Sequence, residues 1–280
     1  MTASGTESEG LGPLTAGILF SGTLVGRQNI LLMPSCCQWM RKKALRRVFR
    51  IFILGTYDSN KPEELFEVDL MRYVENTGVF LAGIIYKTTP AFRTNLPLYT
   101  PITAKKDRTV IRTDDLNAPE IVSAIKRLKP DLLIYAGGRD ILRTPLLNAA
   151  RLGCIGGHYG HLPDIRGMGT VEWSIIEGVP PTVAIQRINA GIDTGDVLMQ
   201  APVPLMQDDT FTSIRERSYS MTKEMLATCA GRLMTGEIES KPQDKNLGRQ
   251  YYRLHPAIQE LAERKLSRLL QQHQKEQRSS

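Results

Sequence analysis

The run of residues 156–167, which reads GGHYGHLPDIRG, contains the side chains of this sequence that are best suited to chemistry. Three glycines and two histidines lie in its first eight residues, whereas the whole chain of 280 residues has only four histidines. An imidazole can donate or accept a proton near neutral pH. The run can therefore form a catalytic loop, or it can be a flexible bend between two elements.

The elements that would position this run follow an alternating pattern. Short apolar runs bounded by turns predict buried parallel strands, and segments with apolar spacing near 3.6 predict helices. Strands are predicted at residues 48–55, 79–86 and 131–138 and from Cys154 onward, and helices at residues 64–78, 118–130 and 144–153, with a polar connection at 87–109. This alternation predicts a doubly wound α/β domain with a mostly parallel sheet.

Three loops would lie at the carboxyl ends of these strands, namely residues 55–60, 137–142 and 156–167. Ligands of open parallel sheets bind at that edge. The position of GGHYGHLPDIRG in this set favours a function over simple flexibility.

The second half of the chain predicts a different organisation. Residues 168–180 are predicted to be helical, and residues 181–205 to form two antiparallel strands around the sequence AGIDTG. A long amphipathic helix is predicted at 210–235 and a charged helix from about residue 256. We therefore expect three regions: a poorly ordered extension at 1–47, of which residues 1–17 are small and polar, an α/β domain at 48–205, and a C-terminal helical segment at 206–280 that packs on the domain or extends it.

The composition excludes some classes of protein. The apolar fraction of 41% and the charged fraction of 23% are ordinary for a globular chain. No run reaches the ~18 consecutive apolar residues of a membrane helix, and the four cysteines show neither C-x-x-C spacing nor a disulfide-rich density. We therefore expect a reduced, cytoplasmic protein without a metal site. The net charge of +7 is concentrated at residues 41–50 and in the tail, where basic runs more often form solvated faces than polyanion contacts.

An ordered series of motifs resembles the folate-dependent formyltransferases. His158 is followed by Leu162-Pro163, then by Arg166-Gly167, by Thr182-Val183 and by Asp193-Thr194-Gly195. This order is similar to that of the glycinamide ribonucleotide, methionyl-tRNA and amino-sugar formyltransferases over residues 48–205. The resemblance implies an α/β fold of the formyltransferase type and 10-formyltetrahydrofolate as the formyl donor.

The resemblance also implies catalytic roles for two residues. Formyl transfer places negative charge on the former formyl oxygen, and an imidazole can stabilise that charge. His158 would have this role, and Asp193 would orient the ring or a water molecule and assist proton transfer. For Asp193, a structural role in an Asx turn before Gly195 is the alternative.

One position departs from the family pattern. The family has asparagine two residues before the histidine, where this chain has Gly156. Losing one oxyanion donor costs about 3 kcal/mol, or roughly 100- to 1,000-fold in rate. A neighbour such as His161 or Tyr159 can supply the missing donor, water or backbone N–H groups can fill the gap, or the site can bind without turnover. Gly156, Gly157 and His161 are accordingly assigned to the substrate-binding region, with an ordinary loop role as the alternative for His161.

The resemblance implies that the pterin of the donor is recognised largely by backbone groups. Two segments correspond to the family's cofactor pocket, namely Gly138, Arg139, Asp140, Ile141 and Leu142, and Asn189, Ala190, Gly191 and Ile192. Core packing is the alternative for Ile141 and Leu142. The loop with Ser59 and Asn60 is similar to a phosphate loop of the glycinamide ribonucleotide enzymes, but Asp58 replaces a glycine there and would repel a phosphate.

These inferences predict an enzyme that transfers a formyl group to the amine of a small metabolite. A nucleic-acid acceptor is disfavoured because only 75 residues, mainly helical in pattern, follow Leu205. The alternatives are a hydrolase of formyltetrahydrofolate and a non-catalytic folate-binding module, of which Gly156 favours the second. The helix at 210–235 can pack on the sheet or on a second copy, so a homodimer stays an open possibility.

Overall fold

One central β-sheet organises the fold of this chain. The computed structural model describes residues 50–56, 66–77, 80–87, 109–137, 140–244 and 246–279. The strands of this part of the chain are β1 (Ile51–Thr56), β2 (Leu81–Lys87), β3 (Thr109–Thr113), β4 (Leu132–Tyr135), β5 (Cys154–His158), β6 (Ile165–Gly167), β7 (Thr182–Arg187), β8 (Val197–Pro202) and β9 (Arg249–Tyr251). Seven of them form a sheet in the order β3-β2-β1-β4-β5-β7-β8, and β6 pairs with β9 separately.

The helices of the described residues lie between and after these strands. They are α1 (Phe66–Asn76), α2 (Pro119–Arg127), α3 (Thr144–Leu147), α4 (Thr170–Glu177), α5 (Phe211–Thr235) and α6 (Pro256–Ser279). Proline at the first turn of α2 and of α3 supplies a φ suited to a helix start without losing a needed donor. Gly178 ends α4 and Gly236 ends α5, each in the left-handed conformation that glycine adopts most easily.

Both faces of the sheet are covered, as the apolar character of its strands requires. On β1, Ile51 and Ile53 belong to the core on one side, with α1, α4, α5 and α6, whereas Phe52 and Leu54 belong to the core on the other side, with α2 and α3. All four side chains are fully buried. A strand buried on both faces needs an uninterrupted apolar run, which is why IFIL occurs here. The prediction of a doubly wound, mostly parallel sheet is confirmed.

The direction of the strands changes next to β5. Strands β1 to β5 are paired in parallel, whereas β7 pairs antiparallel with β5, and β8 antiparallel with β7. In the β5–β7 register, Gly156 lies opposite Gln186 and His158 opposite Ala184. Residues that face each other across a strand pair point to the same side of the sheet, so Gln186 is a direct neighbour of the position of Gly156.

Three short strands differ from the sequence-based expectation. Strand β3 follows the segment read as a polar connection, and β6 and β9 have three residues each. Runs of three to five residues with mixed polarity lack a period that can be read locally. The β6–β9 pair is formed by residues more than 80 positions apart in the chain, so only the tertiary fold brings it together.

The last two helices pack on the α/β domain. Helix α5 contributes Ile214, Leu226 and Ala230 to the same core as β5 and β7, and Ala262 and Leu266 of α6 join that core. The helix predicted at 210–235 therefore packs on the sheet of its own chain. None of the helices among the described residues combines the length and the apolar character that crossing a membrane requires. Residues 1–47, predicted to be an extension, lie outside the described part.

Candidate active site

The ring of His158 lies at the C-terminal end of β5 and is held at both nitrogens. Its exposed fraction is 5%. Nε2 lies 2.7 Å from the carbonyl oxygen of Ile165, so Nε2 must carry a proton and donate it. Nδ1 lies 3.4 Å from Oδ2 of Asp193, slightly beyond the usual hydrogen-bond range. The Ile165 contact is therefore the tighter anchor, and Nδ1 is the nitrogen that can exchange partners.

Asp193 faces His158 from the turn between β7 and β8. Its Oδ2 accepts the backbone N–H of Gly167 at 3.0 Å, and its Oδ1 accepts Nε2 of Gln186 at 2.7 Å. The backbone of Asp193 has a φ of +52°, which aspartate tolerates better than most residues. The carboxylate is thus fixed at both oxygens, and its Oδ2 is presented to the histidine ring.

Each of the three glycines at 156, 157 and 160 occupies a place without room for a Cβ atom. At Gly160, a Cβ would lie 2.5 Å from the oxygen of Ile165 and 2.8 Å from Nε2 of His158. These are the two atoms of the anchoring hydrogen bond. At Gly157, a Cβ would meet the methyl group of Thr222 in α5. The glycine content of the run therefore reflects close packing around the histidine, which argues against the flexible-bend reading.

Gly156 is closed in by a neighbouring side chain. A Cβ at this position would lie 2.7 Å from Cδ1 and 3.3 Å from Cγ1 of Ile188. The space next to the backbone, in which the family's asparagine side chain would begin, is therefore occupied by an isoleucine of the facing segment. The contact between Ile188 and the position of Gly156 was not apparent in the sequence.

His161 and Tyr159 have local partners. Nδ1 of His161 lies 2.9 Å from Oδ2 of Asp164, and both side chains are more than a third exposed. The ring of Tyr159 packs edge-to-face on Tyr219 of α5, with 5.0 Å between the ring centroids. The contacts described for these two residues thus lie away from the His158–Asp193 pair.

The predicted cofactor segment after β4 divides into an exposed and a buried part. The side chain of Ile141 is 67% exposed, whereas that of Leu142 is buried in the core beside α3. The carboxylate of Asp140 pairs with Nζ of Lys87 at 2.5 Å, and the carbonyl oxygen of Ile141 accepts Nδ2 of Asn117 at 3.0 Å. The hydrogen bond to Asp140 raises the pKa of Lys87. Gly138 and Arg139 lie outside the described residues, as do Ser59 and Asn60.

The second cofactor segment forms a polar turn that leads to Asp193. Oδ1 of Asn189 accepts the N–H of Gly191 at 3.0 Å and the hydroxyl of Thr194 at 2.9 Å, which is an Asx-type arrangement. Ala190, Gly191 and Ile192 are exposed. Exposed Ile192 and exposed Ile141 therefore offer apolar surface in both segments assigned to the donor.

Two glutamines that the sequence did not single out hold the aspartate turn. Gln186 bonds the carboxylate of Asp193, and Nε2 of Gln243 bonds the carbonyl oxygens of Asp193 and Gly195 at 3.1 and 2.5 Å. The Oε1 atom of each is buried and has no hydrogen-bond partner among the described residues. In the sequence, Gln186 looked like a polar neighbour in an alternating strand, and nothing local marked Gln243.

The two described cysteines are buried and free of disulfide bonds. Burial raises the pKa of the Cys154 thiol and that of the Cys229 thiol to about 12, so both stay protonated at neutral pH. Cys154 starts the strand that ends in His158, but its thiol is chemically inert there. The described residues contain no cluster of three or more acidic, histidine or cysteine side chains suited to a metal ion.

Comparison with known proteins identifies the family of this chain. A family model described as "Formyl transferase" matches residues 86–229, slightly more than half of the chain. The methionyl-tRNA formyltransferase of Geobacter metallireducens is 32% identical over 139 residues, which are 49% of this chain and 45% of that protein. The chain spans less than two thirds of the length of this and similar methionyl-tRNA formyltransferases.

Solved structures show the same fold. A Helicobacter canadensis N-formyltransferase, in complex with folinic acid and dTDP-3-aminofucose, has a TM-score of 0.54 at 16% identity and covers 73% of this chain and 71% of its own. Glycinamide ribonucleotide transformylase 1 of Symbiobacterium toebii has a TM-score of 0.53 at 21% identity, with coverages of 70% and 95%. At these identities the likeness concerns the fold alone. The family match, which covers slightly more than half of the chain, shows that the chain belongs to the formyltransferase family.

Proposed function

We propose that the protein transfers a formyl group from 10-formyltetrahydrofolate to the amine of an acceptor. The observation that carries this proposal is the pair of buried His158, at the C-terminal end of β5, and half-buried Asp193, in a chain of the formyltransferase family. Ligands of such sheets bind at this edge. The pair lies where the strand direction changes, between parallel β5 and antiparallel β7.

The segments assigned to the donor fit a flat, partly apolar ring system. Ile141 and Ile192 are large apolar side chains that are 67% and 39% exposed, an arrangement with no evident role in packing. The carbonyl oxygen of Ile141, which accepts the N–H of the Asn117 amide, has a second lone pair that can accept a hydrogen bond from a ligand. The folinic acid complex of the Helicobacter canadensis protein supports a folate ligand for this fold. When bound, 10-formyltetrahydrofolate would supply the activated formyl group.

The residues of the chain have distinct tasks in this proposal. The acceptor nitrogen bonds to the formyl carbon, the bond from that carbon to the donor nitrogen breaks, and one proton moves from the acceptor amine to the donor nitrogen. In its doubly protonated form, with Nε2–H bound to Ile165, His158 donates from Nδ1–H to the formyl oxygen as charge develops there, after exchanging its loose 3.4 Å contact with Asp193. Asp193 orients the ring through Oδ2 before the substrates bind, and the same oxygen then takes part in the proton transfer.

Methionyl-tRNA is the first acceptor to test, because the relatives found by sequence are named methionyl-tRNA formyltransferases. Exposed cations of the C-terminal segment, such as Arg249, Arg253 and Arg268, are compatible with a polyanion. A small-molecule amine, expected from the sequence, is the second candidate. It is favoured by the fold shared with the sugar and glycinamide ribonucleotide enzymes.

The test is release of tetrahydrofolate from 10-formyltetrahydrofolate with methionyl-tRNA, dTDP-3-aminofucose, glycinamide ribonucleotide or no amine. We expect release that depends on one of the amines. Equal release without any amine would indicate a hydrolase, and folate binding without release would indicate a binding module. Within the transferase reading, His158→Ala is expected to lower kcat at least roughly 100-fold, and an unchanged kcat would contradict the assigned role.

A further inference from the structure

Gln186 is a polar residue at a buried position, where packing alone would favour an apolar side chain. It lies in β7 opposite Gly156, and its exposed fraction is 4%. The register between β7 and β8 shifts between Ile185 and Gln186, so a bulge is located at this residue. Bulges next to sites commonly redirect a side chain.

The orientation of the Gln186 carboxamide is set by its partner. Nε2 donates to Oδ1 of Asp193 at 2.7 Å, whereas the reverse orientation would place the amide oxygen against the carboxylate. Oε1 is then left buried without a hydrogen-bond partner among the described residues. A buried oxygen without a partner is costly, and an apolar side chain of similar shape would avoid that cost. The hydrogen bond to Asp193 is therefore the contact that accounts for a glutamine at this position.

The consequence for Asp193 is a carboxylate that cannot turn. Gln186 holds Oδ1, while the N–H of Gly167 holds Oδ2 and leaves that oxygen facing Nδ1 of His158. Without Gln186, the carboxylate can rotate part of a turn, which would move Oδ2 away from Nδ1 of His158. Of the described groups that contact this arrangement, His158 from β5 is ionisable, while the N–H of Gly167 from β6 and the amide of Gln243 are neutral.

We propose that Gln186 is a positioning residue of the formyl-transfer reaction, which directs Oδ2 of Asp193 at Nδ1 of His158. This inference rests on the proposed function and deepens it. The residue acts through Asp193 and has no contact with substrate in the proposal.

The first test replaces Gln186 with methionine, which keeps the length and removes both polar atoms. Gln186→Met is expected to lower kcat about 10- to 100-fold, as for one charge-assisted hydrogen bond, with KM for donor and acceptor unchanged. The urea midpoint of unfolding should stay the same or rise, because the buried oxygen without a partner is removed. Gln207→Met, on the exposed segment before α5, serves as the control with native kinetics.

The second test uses Gln186→Glu, whose effect depends on pH. When protonated, the introduced carboxyl donates O–H to Oδ1 of Asp193 and replaces the lost N–H. When ionised, it repels Asp193. Proximity of the two carboxylates and burial both raise the pKa of the introduced carboxyl. The ratio of the variant's kcat to the native kcat is therefore expected to rise as pH falls from about 9 to about 6, the range in which such buried carboxyls titrate.

The outcomes separate this inference from the function on which it rests. A native protein that releases no tetrahydrofolate with methionyl-tRNA, dTDP-3-aminofucose or glycinamide ribonucleotide would overturn the proposed function, and the inference with it. An active native protein with an equally active Gln186→Met variant would overturn the inference alone. So would a Gln186→Met variant that loses kcat only in proportion to a lower urea midpoint, or a Gln186→Glu ratio that does not change with pH.

Discussion

Single atoms around His158 determine how the ring is held. The 2.7 Å hydrogen bond from Nε2 to the oxygen of Ile165 crosses the space where Gly160 would carry a side chain. The ring orientation therefore depends on a residue that makes no polar contact of its own with the ring. Gly160 therefore leaves the space that this hydrogen bond needs, because any larger residue would place its Cβ against both bonded atoms.

Replacing Gly160 by alanine should displace this anchor. The added Cβ would lie 2.5 Å from the oxygen of Ile165, a backbone atom that cannot move aside cheaply. We expect a loss of about 1–3 kcal/mol in the free energy of unfolding and a fall in kcat, measured by urea titration and by tetrahydrofolate release.

Gly231→Ala is the matched control for Gly160→Ala. Gly231 lies inside α5 with no atom within 4 Å of an added Cβ, so alanine should stabilise the helix by about 0.5–1 kcal/mol. Equal effects of the two substitutions would show that the space at Gly160 does not matter.

Asparagine at position 156 is expected to displace the side chain of Ile188, and a smaller neighbour would relieve this crowding. Asparagine alone would place its Cβ 2.7 Å from Cδ1 of Ile188. Gly156→Asn should therefore lower the free energy of unfolding, and combination with Ile188→Ala should relieve that loss. The double variant should then have a higher kcat than Ile188→Ala alone, because an amide donor is added near the formyl oxygen. Additive effects of the two substitutions on stability would contradict steric coupling.

At the scale of elements, the start of α5 depends on a buried ion pair. Asp209 accepts two hydrogen bonds from Arg217, one from the N–H of Met206 and one from the hydroxyl of Ser213, at 2.7–2.9 Å. Thr210 and Ser213 add a reciprocal capping box. Burial alone would raise the pKa of Asp209, but the hydrogen bonds outweigh it and lower the pKa.

Asp209→Asn is expected to lower the free energy of unfolding by about 3 kcal/mol near neutral pH, because it leaves the Arg217 charge without its partner. The folded-state pKa is depressed, so this stabilisation is complete above the ordinary aspartate pKa of about 4 and is lost as pH falls through the lower folded value. Urea titrations from neutral to acidic pH check both the size and the sign. Asp208→Asn, at the exposed neighbouring position, should have little effect, and equal losses for both variants would contradict the role of the ion pair.

Strands and helices with a clear local pattern of apolar residues could be predicted from the sequence, and those without one could not. Strands β1, β2, β4 and β5 are apolar runs between turns, and their existence and parallel pairing could be predicted. Strand β9 could not, because three polar or aromatic residues become a strand only through their partner β6. The proximity of His158 and Asp193 followed from resemblance and strand edges. The role of Gln186 could not be predicted. A polar residue in an alternating strand can face either solvent or a buried site, and the sequence of β7 does not distinguish the two cases.

At the scale of the whole molecule, the charge distribution bears on the acceptor. If methionyl-tRNA is the acceptor, exposed arginines such as Arg253 and Arg268 can contact phosphates. Replacing both by glutamine should then raise KM for methionyl-tRNA, with kcat unchanged. If these two arginines each contact a phosphate, their contribution to tRNA binding by the native protein should weaken roughly 10-fold when the salt concentration rises from about 50 to about 200 mM.

Arg127→Gln, on the exposed end of α2, is the control for this charge test. It removes a positive charge without touching the C-terminal segment. An equal rise in KM for both variants would indicate only a general effect of net charge, and no rise in either would remove this surface from the contact with tRNA.

The β6–β9 pair also determines when the site can assemble during synthesis. Gly167, which bonds Asp193, pairs with Tyr251, and Gln243 bonds the backbone of Asp193 from the same late part of the chain. A nascent chain that has emerged only as far as β8 already contains every strand of the central sheet and both His158 and Asp193. It still lacks Gln243, which bonds the backbone of the aspartate turn, and β9, which pairs with β6 beside Gly167. Ligand binding by the growing polypeptide would therefore begin only after all strands of the central sheet have been made, once residues 243–251 have left the ribosome.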